Sequence, residues 1–145
     1  MFYALCLLIL MAVGLMAYIR MAPDDPERWH VDPAGVQATK ALNDFVVAPS
    51  GGDMVSPVYD MSPEALMTAF QRMALSQPRT SLLGERDGFA TYIQRTAKMA
   101  YPDYISVRAV EAAGGAQLYV YSRSRYGLRD FDVNKKRVLA WLKKL

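Results

Sequence analysis

Basic residues concentrate near the C-terminus of this chain, where they can bind anions. Residues 123–145 contain eight Lys or Arg and only two Asp or Glu, in a chain whose formal net charge is +3. Guanidinium groups are the preferred side-chain partners of carboxylates and phosphates. The chain contains a single His and a single Cys, and we predict no catalytic residue, no metal ligand and no cofactor. The candidate binding residues are Arg108, Arg123, Arg125, Asp130, Asn134 and Arg137.

A predicted hairpin positions the first three of these arginines. The strands 104–111 and 117–124 flank Gly114 and Gly115, a typical turn pair. With both glycines in the turn, the opposed pairs are Arg108–Tyr121, Ser106–Arg123 and Tyr104–Arg125. Because side chains alternate along a strand, these six residues and Tyr119 share one face. The opposite, apolar face holds Ile105, Val107, Ala109, Leu118 and Val120.

The arginine-rich face has two interpretations. It is an anion-binding face, or it is a solvated sheet surface on which long side chains cover one another. The polar residues that follow have two interpretations as well. Gly127 permits a turn, and Asp130 can cap the last helix or pair with an arginine. Asn134 and Arg137 lie one turn apart on that helix, so this corner either fixes how the helix enters the sheet or holds a ligand.

The remaining elements predict an α+β domain with an antiparallel sheet and both helices on one face. Ser62-Pro63-Glu64 starts a helix with an apolar stripe, and Asp87-Gly88 joins two further strands. The last helix runs over about 131–144. The predicted order is strand, helix, four strands, helix, with the first strand at 54–59. We divide the chain into an anchor at 1–21, a linker and irregular segment at 22–52, and the α+β domain at 53–145.

The N-terminal segment predicts a transmembrane helix. Residues 2–19 carry no charge and no Pro, and 18 residues at about 1.5 Å each approach the ~30 Å apolar core of a bilayer. The alternative is a cleaved signal peptide. We expect a single membrane span, with the C-terminal domain outside the cytoplasm. In the linker, Trp29 is predicted to anchor the segment to the domain or the membrane interface, and His30 to be incidental.

The C-terminal motif resembles a known family. Ser122-Arg123-Ser124-Arg125, Gly127, Asp130, Val133-Asn134 and Arg137 resemble the signature of the bacterial domain of unknown function 1499. Gln94-Arg95-Thr96 and Tyr101-Pro102-Asp103 are similar to its upstream element, so the resemblance covers about 53–145. The chain departs from the family at 43–52, where many members carry a cysteine. The resemblance implies a membrane-associated envelope domain in bacteria and supplies no reaction. With the apolar segment, it leads us to expect a single span in a bacterial inner membrane, with the C-terminal domain on the periplasmic side.

Two classes of function follow. The first is a non-catalytic domain that binds an anionic ligand, a lipid headgroup or a membrane-protein partner, because the basic C-terminal region favours an anionic partner. Nucleic acid is not expected, because the chain carries no nucleic-acid-binding motif. The second is an envelope enzyme that uses Asp103, Asp130 and Arg137, which requires the fold to bring these residues together.

Overall fold

The computed structural model describes residues 1–39 and 41–145. The helices are α1 (Phe2–Met21), α2 (Pro26–Trp29), α3 (Pro63–Leu75) and α4 (Val133–Leu142), with a 3₁₀ turn at Pro33–Gly35. The strands are β1 (Asp44–Ala48), β2 (Met54–Val55), β3 (Thr80–Arg86), β4 (Phe89–Arg95), β5 (Pro102–Ala112) and β6 (Gly115–Ser124). They form one sheet in the order β2-β1-β6-β5-β4-β3. Every neighbouring pair is antiparallel except β1 and β2, so the predicted α+β class is confirmed.

The apolar core lies between one face of the sheet and the helices α3 and α4. The predicted apolar residues of β5 and β6 all contribute to it, with Ile105 and Leu118 fully buried. Helix α3 starts at Ser62, whose hydroxyl accepts a hydrogen bond from the Ala65 amide at 3.2 Å. Phe70 of α3 meets Trp141 of α4 edge to face, with ring centroids 5.9 Å apart. Each large apolar side chain buried in this way contributes roughly 1.5–3 kcal/mol to the stability of the fold, so the packing on this face stabilises the domain.

The β5–β6 hairpin keeps the predicted faces but not the predicted register. The observed pairs are Arg108–Tyr119, Ser106–Tyr121 and Tyr104–Arg123, a shift of two residues. The shift arises because Gly115 belongs to β6, where it pairs with Ala112. A Cβ on Gly115 would lie 1.9 Å from the carbonyl oxygen of Tyr59, so only glycine allows this approach. A shift of two preserves the alternation, and every side chain stays on its predicted face.

Strand β1 lies within residues 22–52, which the sequence pattern predicts to be linker and irregular structure. It pairs with β6, matching Phe45 with Ser122 and Val47 with Val120. Its residues from Phe45 to Ala48 are all buried, so the strand lacks the alternation that marks a half-exposed strand. The predicted first strand at 54–59 is only the two-residue β2.

Helix α1 extends from the domain. It has 20 residues and a mean hydropathy of 2.4, and only 6% of its most apolar stretch of 18 residues is buried within the protein. The helix is therefore long and apolar enough to cross a membrane, a property that signal sequences share.

Candidate binding site

Residues 22–36, here called the strap, lie across the face of the sheet opposite the helices. They run from the end of α1 through the 3₁₀ turn, and they contact β4, β5 and the end of β6. In both sequence-based interpretations this arginine-rich face is open, either to a bound anion or to solvent. In the structure the strap covers it, because carboxylates and carbonyl oxygens of the strap bind the guanidinium groups of the sheet.

Asp24 joins the strap to three side chains of the sheet. Its Oδ2 accepts from Arg95 Nη2 at 2.5 Å, and its Oδ1 accepts from the Tyr104 hydroxyl at 2.6 Å. The Arg125 guanidinium lies 3.6 Å from Oδ1 and also donates to the Pro23 carbonyl at 2.9 Å. Burial, and secondarily the Asp24 carboxylate, raise the pKa of Tyr104 to about 12. Tyr104 therefore stays protonated and donates its hydrogen to Asp24.

Arg123 is the most deeply buried of the candidate arginines on this face. Its residue is 6% exposed, and its guanidinium donates to the Ser106 hydroxyl at 3.2 Å, the Tyr121 carbonyl at 3.2 Å and the Trp29 carbonyl. It also lies 4.5 Å from the centre of the Tyr121 ring. Burial lowers the pKa of Arg123 to about 10, since desolvation disfavours its charged form. The charge is stabilised by carbonyl dipoles and aromatic rings.

The two residues at the centre of the strap are both packed on the sheet. The Trp29 ring stacks on Tyr104 at 4.2 Å with an interplanar angle of 7°. His30 is 7% exposed, bonds Thr91 Oγ1 through Nδ1 at 2.9 Å and stacks on Phe89 at 4.1 Å. Trp29 thus attaches the strap to the domain, one of the two predicted roles. The prediction that His30 is incidental is wrong, because its ring is part of the buried contact.

Arg108 pairs with the last acidic residue of the strap. Its Nε and Nη2 donate to the two carboxylate oxygens of Asp32 at 3.0 and 2.6 Å, and Nη2 also donates to the Asp87 carbonyl at 2.8 Å. Burial is the largest single influence on Asp32 and opposes its ionisation. The hydrogen bonds from Arg108 and the Ala34 amide, together with the Arg108 charge, outweigh it and lower the pKa of that carboxyl. The three candidate arginines of this face, Arg108, Arg123 and Arg125, are therefore bound within the chain.

The other three candidates, Asp130, Asn134 and Arg137, meet at the opposite face, where β5 begins and β6 ends. Asp130 accepts from the amides of Asp132 and Asn134 at 3.0 and 2.8 Å. Its carboxylate thus binds a free amide in the first turn of α4, as predicted, although the residue directly before the helix is Asp132. Asn134 is fully buried and accepts from the Ser122 hydroxyl at 2.6 Å. Its Nδ2 donates to Asp130 Oδ2 at 2.7 Å and to the Asn43 carbonyl at 3.0 Å.

Arg137 completes this corner network, which comprises Asp103, Ser122, Asp130, Asn134 and Arg137. Its Nη2 donates to Asp103 Oδ2 at 2.5 Å, and its Nη1 donates to Asn134 Oδ1 at 2.7 Å. The Asp103 and Arg137 side chains are only 4% and 7% exposed. The fold therefore brings together the three residues that an acid–base site requires. It also engages each of them in bonds that hold α4 on the sheet.

A pocket of about 320 Å³ adjoins the corner network. Two carboxylates of the corner, Asp103 and Asp130, line it together with Arg129 and the rings of Tyr101, Tyr126 and Phe131. The two tyrosine ring centroids are 6.0 Å apart. Mostly apolar walls with a few polar groups are typical of a small-molecule site.

The sequence reasoning missed the strap residues as partners of the candidate arginines. Asp24 and Asp32 lie 71 and 76 positions from Arg95 and Arg108, beyond the reach of any local pattern. One signal was present. The strap is acidic and contains a large aromatic residue, whereas the predicted sheet face is basic and aromatic, so the two surfaces are complementary.

Substitution of Asp24 by Asn should loosen the strap. The change removes the negative charge that binds Arg95 and Arg125, and hydrogen bonds to charged groups contribute about 1.5–3 kcal/mol. The Trp29 and His30 amides, which are hydrogen-bonded within the strap, should then exchange with solvent about tenfold faster or more. Asp25→Asn is the control, because Asp25 only caps α2 and Asn is an equivalent cap. Equal exchange rates in both variants would contradict the role of Asp24.

The free energy of unfolding should fall when Arg137 is replaced by Met. Removing one partner of a buried ion pair leaves the Asp103 charge uncompensated and costs about 3–5 kcal/mol. Arg86→Gln is the control, because Arg86 is 54% exposed and its contact with Glu27 is 3.9 Å long. That change should cost less than about 1 kcal/mol. Denaturant unfolding of both variants measures the difference, and similar costs would show that the corner pair is not stabilising.

The strap should become less stable as the pH falls, because His30 then takes up a proton. Burial, followed by the nearby Arg86 and Arg123, lowers the pKa of His30, whereas Asp87 and Asp32 raise it less. The unfolded imidazole, with a pKa near 6.5, thus takes up a proton more readily than the folded one. Stability is therefore complete above about pH 6.5 and is lost as the pH falls below it. Amide exchange in the strap, measured at a series of pH values, should show this slope, and His30→Gln should flatten it. An unchanged slope in the variant would assign the effect to other groups.

The chain was compared with protein families, curated proteins and solved structures. The model of the family described as "Protein of unknown function (DUF1499)" matches residues 23–145. The match includes β1 and all of the strap except residue 22, so it begins earlier than the resemblance seen from residue 53 onward. No curated protein and no solved structure matches the chain. Because the match covers most of its length, the chain belongs to the DUF1499 family of proteins of unknown function.

Proposed function

We propose that this protein is a single-span, membrane-anchored domain of the bacterial envelope that binds an anionic ligand without catalysing a reaction. The observation that carries the proposal is the set of exposed basic side chains in the C-terminal region. Arg129, Lys135, Lys136 and Lys143 are exposed, and among the described residues none forms an ion pair. They remain available to a partner, whereas the strap and the corner network occupy the six candidate residues.

Anchoring is supported by α1, whose apolar side chains are almost all exposed to the surroundings. An apolar helix of this length gains free energy by entering a bilayer. The proposed orientation places the N-terminus in the cytoplasm and the domain in the periplasm of the inner membrane. A reporter fused to the C-terminus tests that orientation. A membrane fraction that retains the full-length chain after alkaline washing tests for an uncleaved anchor.

Binding is favoured over catalysis by the state of the polar groups. An enzyme that used Asp103, Asp130 and Arg137 would need at least one of them free to contact a substrate. Both oxygens of Asp130 accept hydrogen bonds, and Arg137 donates to Gln94, Asn134 and Asp103. These groups are engaged in the attachment of α4, so an enzyme that uses them is the weaker alternative.

Retention on a polyanion should depend on the exposed lysines of α4. The double variant Lys135→Gln with Lys136→Gln, as a full-length chain in neutral detergent, should elute from immobilised heparin at lower salt than the original chain. The reason is that each lost cation removes one counterion-releasing contact. Arg72→Gln with Arg86→Gln removes the same charge from α3 and β3 and should have a smaller effect. Identical elution of both double variants would show that net charge, and not the C-terminal region, determines binding.

A further inference from the structure

The strap fastens the domain directly to the end of α1. Arg20 Nη2 donates to the Lys98 carbonyl at 3.2 Å, and Pro23 and Asp24 are held by Arg95 and Arg125. Asp24 lies three residues after Met21, the last residue of α1, so at most about 11 Å of chain separates them. All these contacts lie at one end of the sheet, where β4 and β6 finish and β5 begins. If α1 spans a bilayer, this end of the domain faces its surface.

The same end of the sheet carries an exposed apolar patch. Leu128 and Phe131 are 91% and 81% exposed, more than any other large apolar side chain described outside residues 1–21. Leu42 and Val133, 56% and 40% exposed, adjoin them, and Leu42 pairs with Arg129 in an isolated bridge. We call Leu42, Leu128, Phe131 and Val133 the apolar patch. A soluble domain gains nothing from exposing such side chains to water, so the patch marks a contact surface.

The patch lies close to the exit of α1. Phe131 and Val133 line the pocket beside the corner network together with Thr96 and Tyr101. The loop between Thr96 and Tyr101 contains Lys98, whose carbonyl holds Arg20. Arg125, which holds the Pro23 carbonyl, also precedes Leu128 by three residues, so the apolar patch and the α1 contact lie at the same end of the domain.

The charges around the patch suit an anionic membrane surface. Arg129 lies within it, Lys98 lies near the α1 contact, and Lys135 and Lys136 are on the first turn of α4. Exposed acidic residues include Asp132 at the edge of the patch and Asp25 in the strap. Apolar side chains bordered by Lys and Arg are typical of segments that lie in the interface of a bilayer. A cation near an anionic bilayer contributes about 1 kcal/mol. Three of the four basic residues that support the proposed function, Arg129, Lys135 and Lys136, are therefore close in sequence to the apolar patch.

We propose that the apolar patch docks on the bilayer that holds α1, with Leu128 and Phe131 inserted at the headgroup boundary and Arg129 and Lys98 against anionic headgroups. This inference rests on the proposed function, since it identifies the anionic partner as phospholipid of the anchoring membrane. The surface is continuous with the exit of the span, which selects the bilayer over a separate protein partner. The opposite end of the sheet, about 33 Å away along the eleven residues of β5, points into the aqueous compartment.

The test places a fluorescent probe at each end of the domain. Full-length chains with Cys6→Ala carry one new cysteine, Leu128→Cys or the control Val58→Cys, labelled with an environment-sensitive dye. Val58 is 49% exposed and precedes Tyr59, which pairs with Ala116 near the β5–β6 turn at the far end. The chains are placed in nanodiscs that contain phosphatidylglycerol and a lipid-borne quencher. We expect quenching several-fold stronger at 128 than at 58, and weaker quenching at 128 in phosphatidylcholine nanodiscs.

The possible outcomes separate the two proposals. A chain that stays in the nanodisc but shows equal quenching at both positions would overturn the docking and leave the anchor intact. A chain that does not stay in the nanodisc would overturn both. Quenching at 128 that is the same in both lipids would overturn the headgroup contacts. Because Leu128 and Val58 are exposed, neither substitution removes a core contact, and the circular dichroism of both variants should be unchanged.

Discussion

Arg123, a buried cation without a carboxylate partner, constrains how the strap covers the face of the sheet opposite the helices. Arg123 is almost inaccessible to water, yet its described hydrogen-bond partners are a hydroxyl and two carbonyl oxygens. Burying a charge is costly unless fixed dipoles replace the lost water. One of those carbonyls belongs to Trp29, so the strap must be docked for Arg123 to be solvated by the protein. The ion pairs of Asp24 and Asp32 then fix the strap at both ends.

The two faces of the sheet are thus covered in chemically different ways. The helices α3 and α4 cover one face through apolar packing, which is non-directional and tolerates small shifts. The strap covers the other through ion pairs, hydrogen bonds and stacked rings, which require specific geometry. This geometry fixes the orientation of the domain relative to α1, because the residues that directly follow α1 are bound to side chains of the sheet. A flexible tether would leave the domain free to rotate, whereas this strap orients one end of the sheet toward the end of α1.

Several of the residues that carry the family resemblance form a physical unit. Asn134 is at the centre of this unit, because it accepts hydrogen bonds from Ser122 and Arg137 and donates one to Asp130. Through these bonds the residues hold the start of α4 against β6. Their spacing follows from this role. Ser122 faces the helices by strand alternation, while Asn134 and Arg137 lie one turn apart on α4. These residues of the motif therefore describe how the last helix enters the sheet.

The sequence by itself determined what depends on neighbouring residues. Alternation assigned Tyr104, Ser106 and Arg108 to one face and Ile105 and Val107 to the other, and helical spacing located α3 and α4. Tertiary structure decided three other features: the two-residue register shift of the hairpin, the inclusion of β1, and the docking of the strap. The shift depends on the approach of Tyr59 to Gly115, and the strap depends on contacts between residues 61–102 positions apart. Periodicity reports the local environment of a strand or helix, whereas complementary charges far apart in the chain meet only once the sheet has formed.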